Sequence, residues 1–132
     1  MTKYPAPLKK GDAIGICAPS SGVTGVISNK LDNALHHLEE LGYKVIETSS
    51  VRNNHKLTSS SPEQRAAEFM SLYLDENVKA IIPPWGGEFL MDMLPNLDFD
   101  KLREAPATWV MGFSDTSTLL FTLTLKLELA TV

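Results

Sequence analysis

The apolar residues of this chain change their spacing repeatedly along the sequence. Short continuous apolar runs, typical of buried strands, alternate with segments in which apolar residues recur at the three- and four-residue steps of an amphipathic helix. The resulting order is βαβαβαβα. Parallel strands need crossover connections and a helix is the usual crossover, so this alternation predicts a mostly parallel sheet with helices on both faces.

The predicted architecture is α/β, with three layers in a Rossmann-like or flavodoxin-like arrangement. Strands are predicted at Ala13–Cys17, 43–48, 78–84 and 108–113, and helices at 28–42, 61–75, 87–97 and 99–106, the third broken at Pro95.

Two of the predicted helices carry local start and stop signals. Ser28 is a predicted N-cap, and Gly42 is a fitting stop for the same helix. Ser61 followed by Pro62 and Gln64 is the clearest helix start in the chain.

The C-terminal segment gives conflicting signals. From Phe121 to Leu129 apolar and polar residues alternate strictly, which by period alone indicates a strand. We nevertheless predict a helix from Thr116 to about Leu127, because leucine is a good helix former and the preceding turn is one that leads into a helix. Its apolar side chains exceed what one face can bury, so we expect the chain to self-associate as a homo-oligomer through this element.

Length and composition bound the class of protein. The 132 residues suffice for one domain with its own core. A net charge of −4 with scattered Lys and Arg argues against nucleic acid as a partner. No run approaches the roughly 18 apolar residues of a membrane span and no signal peptide is recognisable, so no membrane association and a cytoplasmic location are expected. The single cysteine, Cys17, is predicted to pack in the core.

Turn-forming and polar residues concentrate after three of the predicted strands, as "APSSGVTG", "PPWGGE" and "GFSDTS". The carboxyl ends of parallel strands meet at one edge of the sheet, and ligands of such sheets bind there. We therefore expect the three loops to converge on one crevice. Ser20 and Ser21 at this edge either form the turn or contact a substrate.

Ser114 lies where the fourth predicted strand turns into a helix. The segment Gly112–Thr116 resembles the nucleophile elbow G-x-S-x-G, with threonine in place of the second glycine. The alternative is that Ser114 or Asp115 merely caps the next helix. Consecutive glycines, Gly86 and Gly87, either let the backbone approach a ligand closely or form an ordinary tight turn.

Three segments together carry a family resemblance: "LKKGDAIGICAPSSG", "IIPPWGGEFLMDMLPNLDFDKLR" and "WVMGFSDTSTLL". In this order and spacing they resemble the N-terminal domain of the serine LD-carboxypeptidases, a family that includes murein tetrapeptide carboxypeptidases and microcin C immunity proteins. The resemblance implies that Ser114 is the nucleophile. It implies oxyanion donors in the backbone N–H groups of Asp115 and Gly87, with Gly86 less favoured. Trp85 belongs to a "PWGGE" form of the motif that leans toward the immunity proteins and is a candidate substrate contact.

The same resemblance implies a Ser-Glu-His triad whose Glu and His come from a C-terminal domain absent from residues 1–132. His36 and His37 lie mid-helix and are expected to face solvent, and His55 lies in a polar loop. Without a base the serine hydroxyl is a weak nucleophile, so we expect the chain alone to be inactive or nearly so.

The expected substrate is a small peptide or a peptidyl-nucleotide, with no cofactor. Asp92, Asp98 and Asp100 have no His or Cys at ligand spacing, so no metal site is predicted. The competing interpretation is a non-catalytic Rossmann-like module whose glycine turns bind a small ligand. A nucleotide enzyme is disfavoured because no G-x-G-x-x-G follows the first strand.

Overall fold

The computed structural model describes all 132 residues and contains one parallel four-stranded sheet. Its strands are β1 (Ala13–Ile16), β2 (Lys44–Glu47), β3 (Val78–Ile81) and β4 (Trp109–Val110). Their order across the sheet is β2-β1-β3-β4, and all three pairings are parallel. The predicted α/β class is confirmed.

The helices follow the predicted order. They are α1 (Ser28–Glu40), α2 (Pro62–Tyr73), α3 (Phe99–Glu104) and α4 (Thr116–Leu127), with 3₁₀ helices at Gly25–Ile27 and Leu90–Asn96. The helix predicted at the C-terminal segment is confirmed against its strand-like alternation. Leu119, Leu123 and Leu127 form its buried face at i, i+4 and i+8, and that face decides the conformation.

Three local predictions need correction. The N-cap of α1 is Ile27 and not Ser28, because the preceding 3₁₀ helix runs directly into α1 and the Ser28 N–H donates to the Gly25 carbonyl. Pro95 does not break its helix but lies inside the 3₁₀ helix, which the complete burial of Leu90 and Met93 holds in place.

Strand length is the third correction. The first strand ends at Ile16 instead of Cys17, and β4 has only two residues. The hydrogen bonds between β3 and β4 end early because the chain turns toward Ser114 directly after Met111. The Met111 N–H donates to the Ile81 carbonyl at 3.1 Å.

The predicted start of α2 and stop of α1 are confirmed. The Ser61 hydroxyl accepts from the Gln64 N–H at 3.2 Å, and Pro62 is the first helical residue. Gly42 follows the C-cap of α1 with a φ of +95°, which glycine adopts at no steric cost.

Two apolar cores lie on opposite faces of the sheet. Side chains of β1 alternate between them: Ile14 and Ile16 belong to the smaller core under α1, whereas Ala13 belongs to the larger core under α2, α3 and α4. Gly15 faces α2, where a Cβ would stand only 2.8 Å from a Leu72 methyl, so the glycine permits close packing of helix and strand. Cys17 is buried in the larger core, as predicted.

The C-terminal residues return to the sheet edge. The Val132 N–H donates to the Val110 carbonyl at 3.0 Å, and the Val132 carbonyl accepts from Gly112 at 2.9 Å. This pairing braces β4 from its open side. None of the helices combines the length and the apolar character that crossing a membrane requires.

Candidate active site

The loops that follow β1, β3 and β4 meet at the carboxyl edge of the sheet, as the sequence predicts. The Trp85 indole N–H donates to the Ser21 carbonyl at 3.1 Å, which joins the β3 loop to the β1 loop. The Ser20 hydroxyl donates to Asp115 Oδ2 at 2.5 Å, which joins the β1 loop to the β4 loop. The three loops therefore form one hydrogen-bonded unit.

Ser114 lies at the turn between β4 and α4 with a left-handed backbone. Its φ is +61°, a conformation that non-glycine residues adopt rarely and that recurs at functional sites. The side chain is exposed, and its hydroxyl makes no hydrogen bond within the chain. The geometry is that of a nucleophile elbow, with the hydroxyl accessible from outside.

The capping alternative is not supported by the contacts around α4. Asp115 is the N-cap residue by position, but no side chain makes a capping hydrogen bond there. The helix begins instead with backbone bonds, from the Ser117 N–H to the Ser114 carbonyl and from Thr118 to Asp115, both at 3.0 Å. The side chains of both turn residues are thus free for other roles.

Thr116 occupies the position where the elbow pattern has its second glycine. It is buried, and a Cβ on Gly112 would collide with its side-chain methyl. The single glycine therefore provides the space that the threonine side chain takes up, and the sharp turn is kept.

Gly86 and Gly87 border different parts of the site. A Cβ on Gly86 would stand 3.0 Å from Ser114 Cβ and 3.2 Å from its Oγ, so this backbone lies directly against the serine. A Cβ on Gly87 would collide with the hydroxyls of Ser20 and Ser21. Both glycines are required for close approach and neither has a positive φ. Their role as oxyanion donors stays a prediction.

Ser20 and Ser21 use their hydroxyls within the protein. Ser20 is fully buried and bonds Asp115, whereas the Ser21 hydroxyl donates to the Leu57 carbonyl at 2.7 Å. Trp85 is half-buried and lines an apolar groove of about 410 Å³ against α1. These contacts make Ser20 a structural member of the site.

The Asp115 carboxylate lies at the centre of the three loops. Its Oδ2 accepts from the Ser20 hydroxyl and from the Leu90 N–H at 3.3 Å. Its Oδ1 is enclosed without a hydrogen-bond donor, 2.9 Å from where a Cβ on Gly86 would stand. The residue after the serine is thereby fixed by two other loops.

Two buried charged residues of α2 were not predicted as part of the site. Arg65 donates to the carbonyls of Ser60, Pro19 and Phe89 at 3.1, 2.8 and 2.9 Å. The signal was present in the sequence, because Arg65 is in phase with the buried Phe69 and Leu72 at i+4 and i+7.

Glu68 is the second of these residues. It accepts from the Gln64 amide, from the hydroxyls of Thr48, Ser49 and Ser50, and from the Ser50 N–H. Burial acts to raise the pKa of Glu68, but the four side-chain hydrogen bonds outweigh it and hold the pKa below its usual range. Glu68 therefore stays ionised and ties the loop after β2 to α2.

No local base is arranged for Ser114. His36 and His37 are exposed on α1, as predicted, and they lie near Glu39 and Glu40. His55 is exposed in the loop after β2. Burial and the charge of Glu68 raise the pKa of the Cys17 thiol, which keeps it protonated and unreactive. No group of three His, Cys, Asp or Glu side chains is arranged to hold a metal ion.

Comparison with known sequences identifies one family. Residues 14–132 match the profile of the peptidase S66 LD-carboxypeptidase N-terminal domain. The chain is 34% identical over 117 residues to a carboxypeptidase-like protein of Vibrio cholerae, covering 89% of this chain and 35% of the relative. It is 30% identical over 115 residues to the microcin C7 self-immunity protein MccF of Escherichia coli, covering 87% of this chain and 33% of the relative. The chain spans about a third of the length of these curated relatives.

Solved structures agree with this grouping. The structure of MccF without ligand superposes with a TM-score of 0.89 at 29% identity, covering 96% of this chain and 38% of that one. The muramoyltetrapeptide carboxypeptidase of Oxalobacter formigenes superposes with a TM-score of 0.74 at 27% identity, covering 90% of this chain and 38% of that one. MccF has also been solved in complex with glutamyl sulfamoyl guanosine.

Proposed function

Because the chain belongs to the LD-carboxypeptidase N-terminal domain family, we propose that it is the nucleophile-bearing domain of a serine carboxypeptidase-type hydrolase. The observation that carries the proposal is Ser114 itself. It is exposed, strained at φ +61° and free of internal hydrogen bonds at the edge of the sheet where ligands of such folds bind.

Ser114 would attack the carbonyl carbon of the scissile bond through Oγ. The hydroxyl proton passes to a base, and negative charge develops on the carbonyl oxygen. The backbone N–H groups of Asp115 and of Gly87 or Gly86 would stabilise that oxyanion. Support for a donor in this glycine turn comes from Gly86, where an added Cβ would stand only 3.2 Å from Ser114 Oγ.

The base would come from a second domain. The three histidines of the chain lie on an exposed helix face or in an exposed loop, and none bonds Ser114. The family resemblance implies instead that a Glu and a His of the C-terminal domain complete the triad with Ser114. The isolated chain would then be inactive, and the activity would belong to a longer protein, the parent protein, that contains both domains.

The substrate would be a short peptide or a peptidyl-nucleotide cleaved near its C-terminal end. Relatives of the chain are named both as murein peptide carboxypeptidases and as a microcin self-immunity protein. The Trp85 form of the glycine motif favours the second group, and Trp85 is held at the site by its bond to Ser21.

The test compares the parent protein, its Ser114→Ala variant and the isolated chain on two substrates: a murein tetrapeptide, and a peptidyl-nucleotide with a hydrolysable bond to its last amino acid. We expect turnover by the parent only, and a loss of at least about a thousandfold in kcat for Ser114→Ala with substrate binding retained, since the nucleophile contributes to the transition state more than to ground-state affinity.

An active Ser114→Ala variant would rule out this mechanism. Ligand binding by the parent without turnover of either substrate would support the non-catalytic binding module instead.

A further inference from the structure

One peptide group in the loop after β3 lies between two oppositely charged side chains. The Phe89 carbonyl accepts from Arg65 Nη1 at 2.9 Å, and the N–H of the same peptide group, on Leu90, donates to Asp115 Oδ2 at 3.3 Å. The positive charge therefore lies at the oxygen end of the peptide dipole and the negative charge at its N–H end. Both contacts stabilise the same dipole orientation.

A second segment repeats the arrangement in the loop after β1. The Pro19 carbonyl accepts from Arg65 Nη1 at 2.8 Å, and the next residue, Ser20, donates its hydroxyl to Asp115 Oδ2 at 2.5 Å. The guanidinium and the carboxylate thus hold two loops between them, and each loop contributes one acceptor and one donor.

The charge of Arg65 has no direct counter-ion. Its residue is only 2% exposed, and the arginine salt bridges of the structure involve Arg52 and Arg103. Burial lowers the pKa of Arg65, while the charges of Asp92, Asp115 and Glu63 act in the opposite direction. Of these three carboxylates, only that of Asp115 shares hydrogen-bonded loop segments with the guanidinium.

We propose that Arg65 and Asp115 form an indirect ion pair, relayed through the Phe89–Leu90 peptide group and the Pro19–Ser20 segment, that fixes the strained turn at Ser114. Asp115 directly follows Ser114, so holding its carboxylate holds the backbone on which the serine hydroxyl and the Asp115 N–H are carried. Arg65 is a positioning residue. The relay deepens the proposed function. Its effect on the backbone of Ser114 does not depend on that function, but its effect on catalysis by Ser114 rests on it.

The test uses the isotopically labelled chain and NMR, which needs no turnover. In Asp115→Asn the side chain keeps its shape but loses its charge. We expect the Leu90 amide proton to shift upfield and to exchange at least tenfold faster, and the Ser114 Cα and Cβ shifts to move away from left-handed values. Arg65→Lys keeps the charge but lacks the rigid guanidinium in which the bond of Nε to the Ser60 carbonyl orients Nη1 toward both loop carbonyls, and it should move the same signals.

The double variant distinguishes a relay from two separate structural roles. Because each change breaks the same chain of contacts, the changes in Arg65→Lys/Asp115→Asn should be close to those of the larger single variant. The matched control is Arg103→Lys with Asp100→Asn, an exposed direct pair, which should leave Leu90 and Ser114 unchanged.

Additive shifts in the double variant, or a Leu90 signal insensitive to Arg65→Lys, would overturn the relay. If Arg65→Lys does not fold, Ser20→Ala decides. This change removes the hydroxyl that links the Pro19–Ser20 segment to Asp115. It should shift the Asp115 and Ser114 signals while the Leu90 amide stays protected. Unchanged Ser114 signals would contradict the proposal.

Activity gives a separate readout. In the parent protein Asp115→Asn should lower kcat at least tenfold with KM within about threefold, because misplacing the nucleophile affects the transition state more than substrate binding. NMR coupling without turnover by the unmodified parent would remove the proposed function and leave the relay. Turnover that depends on Ser114 without NMR coupling would support the proposed function and rule out the relay.

Discussion

At the scale of single residues, Ser114 is the one residue of the turn between β4 and α4 with a left-handed backbone. A left-handed backbone costs an L-residue about 1–2 kcal/mol relative to the right-handed conformation. The turn is held because the next residue is bonded to two other loops and because Thr116 fills the space beside Gly112. Strain at an exposed serine is therefore maintained by contacts that the serine side chain does not make.

Two substitutions at Ser114 separate the backbone from the hydroxyl. Ser114→Ala and Ser114→Gly both remove Oγ, but only glycine tolerates φ +61° without a steric penalty. Glycine also increases the entropy of the unfolded chain, which offsets part of the stability gained from the relieved strain. We expect the free energy of unfolding of the Gly variant to exceed that of the Ala variant by about 0.5–1 kcal/mol, measured by urea denaturation. A more stable Ala variant would contradict the left-handed turn.

Gly86→Ala tests the close approach of the β3 loop to the serine. The new methyl would stand 2.9 Å from Asp115 Oδ1 and 3.0 Å from Ser114 Cβ, so one of the two loops must shift. We expect the NMR signals of Ser114 to move and kcat of the parent protein to fall by at least tenfold.

Gly25→Ala is the matched control for Gly86→Ala. Its Cβ would meet no atom within 4 Å, but its φ of +67° penalises alanine, so it loses stability for a different reason. Ser114 signals that respond equally to both variants would argue against a specific contact at Gly86.

At the scale of elements, α2 is the helix that connects the sheet to the site. It directs Arg65 toward the loops after β1 and β3, and Glu68 toward the loop after β2. Buried charges are expensive unless hydrogen bonds satisfy them, and here each charge accepts or donates several. The helix therefore orders three loops by polar contacts while its apolar residues build the larger core.

The hydrogen bonds of Glu68 make part of the stability pH-dependent. Its folded-state pKa lies below the ordinary value of 4.5, so its contribution is present above that pH and is lost as the pH falls through the folded-state pKa. We expect Glu68→Gln to lower the free energy of unfolding at pH 7 by about 1–3 kcal/mol, since the amide cannot accept all the donors.

Urea titrations of Glu68→Gln and the unmodified chain at several pH values measure this. The difference between the two should shrink as the pH falls below 4.5. Glu76→Gln, at an exposed carboxylate without hydrogen bonds, is the control and should show little effect at any pH. A constant difference across pH would show that the charge of Glu68 is not what stabilises the loop.

At the scale of the whole molecule, apolar surface remains uncovered on α4 and beside the elbow. Phe121 and Leu125, one turn apart on the outer face of α4, are about two thirds exposed, and Phe113 is 75% exposed. Exposed apolar patches of this kind mark association sites or aggregation liabilities. The surface that remains open lies near the proposed nucleophile.

We predict that the isolated chain self-associates through this surface. Sedimentation velocity at high micromolar concentration should detect dimers or larger species, and Phe121→Asp/Leu125→Asp should shift the population to monomer, because charge on the patch opposes its burial. Val26→Asp, at a residue that is 90% exposed away from α4, is the control. A strictly monomeric chain would contradict the prediction.

The order of elements, the parallel sheet and the placement of Ser114 at a strand-to-helix turn could be predicted from the sequence. The predictions of the Ser61 cap and the Gly42 stop are confirmed, because each of these residues acts on residues no more than four positions away. The same local reasoning was wrong at Ser28, where a 3₁₀ helix already leads into α1, and at β4, whose length depends on where the turn to Ser114 begins.

The contacts that organise the site were decided only by the tertiary structure. Ser20 and Asp115 are 95 residues apart in the chain, and Arg65 meets loops from two other strands. Spacing and propensity describe interactions within a few residues, whereas these hydrogen bonds exist only after three crossovers have brought β1, β3 and β4 side by side. The sequence therefore determined which residue is presented at the turn, and the packing of α2 against the sheet determined what holds it there.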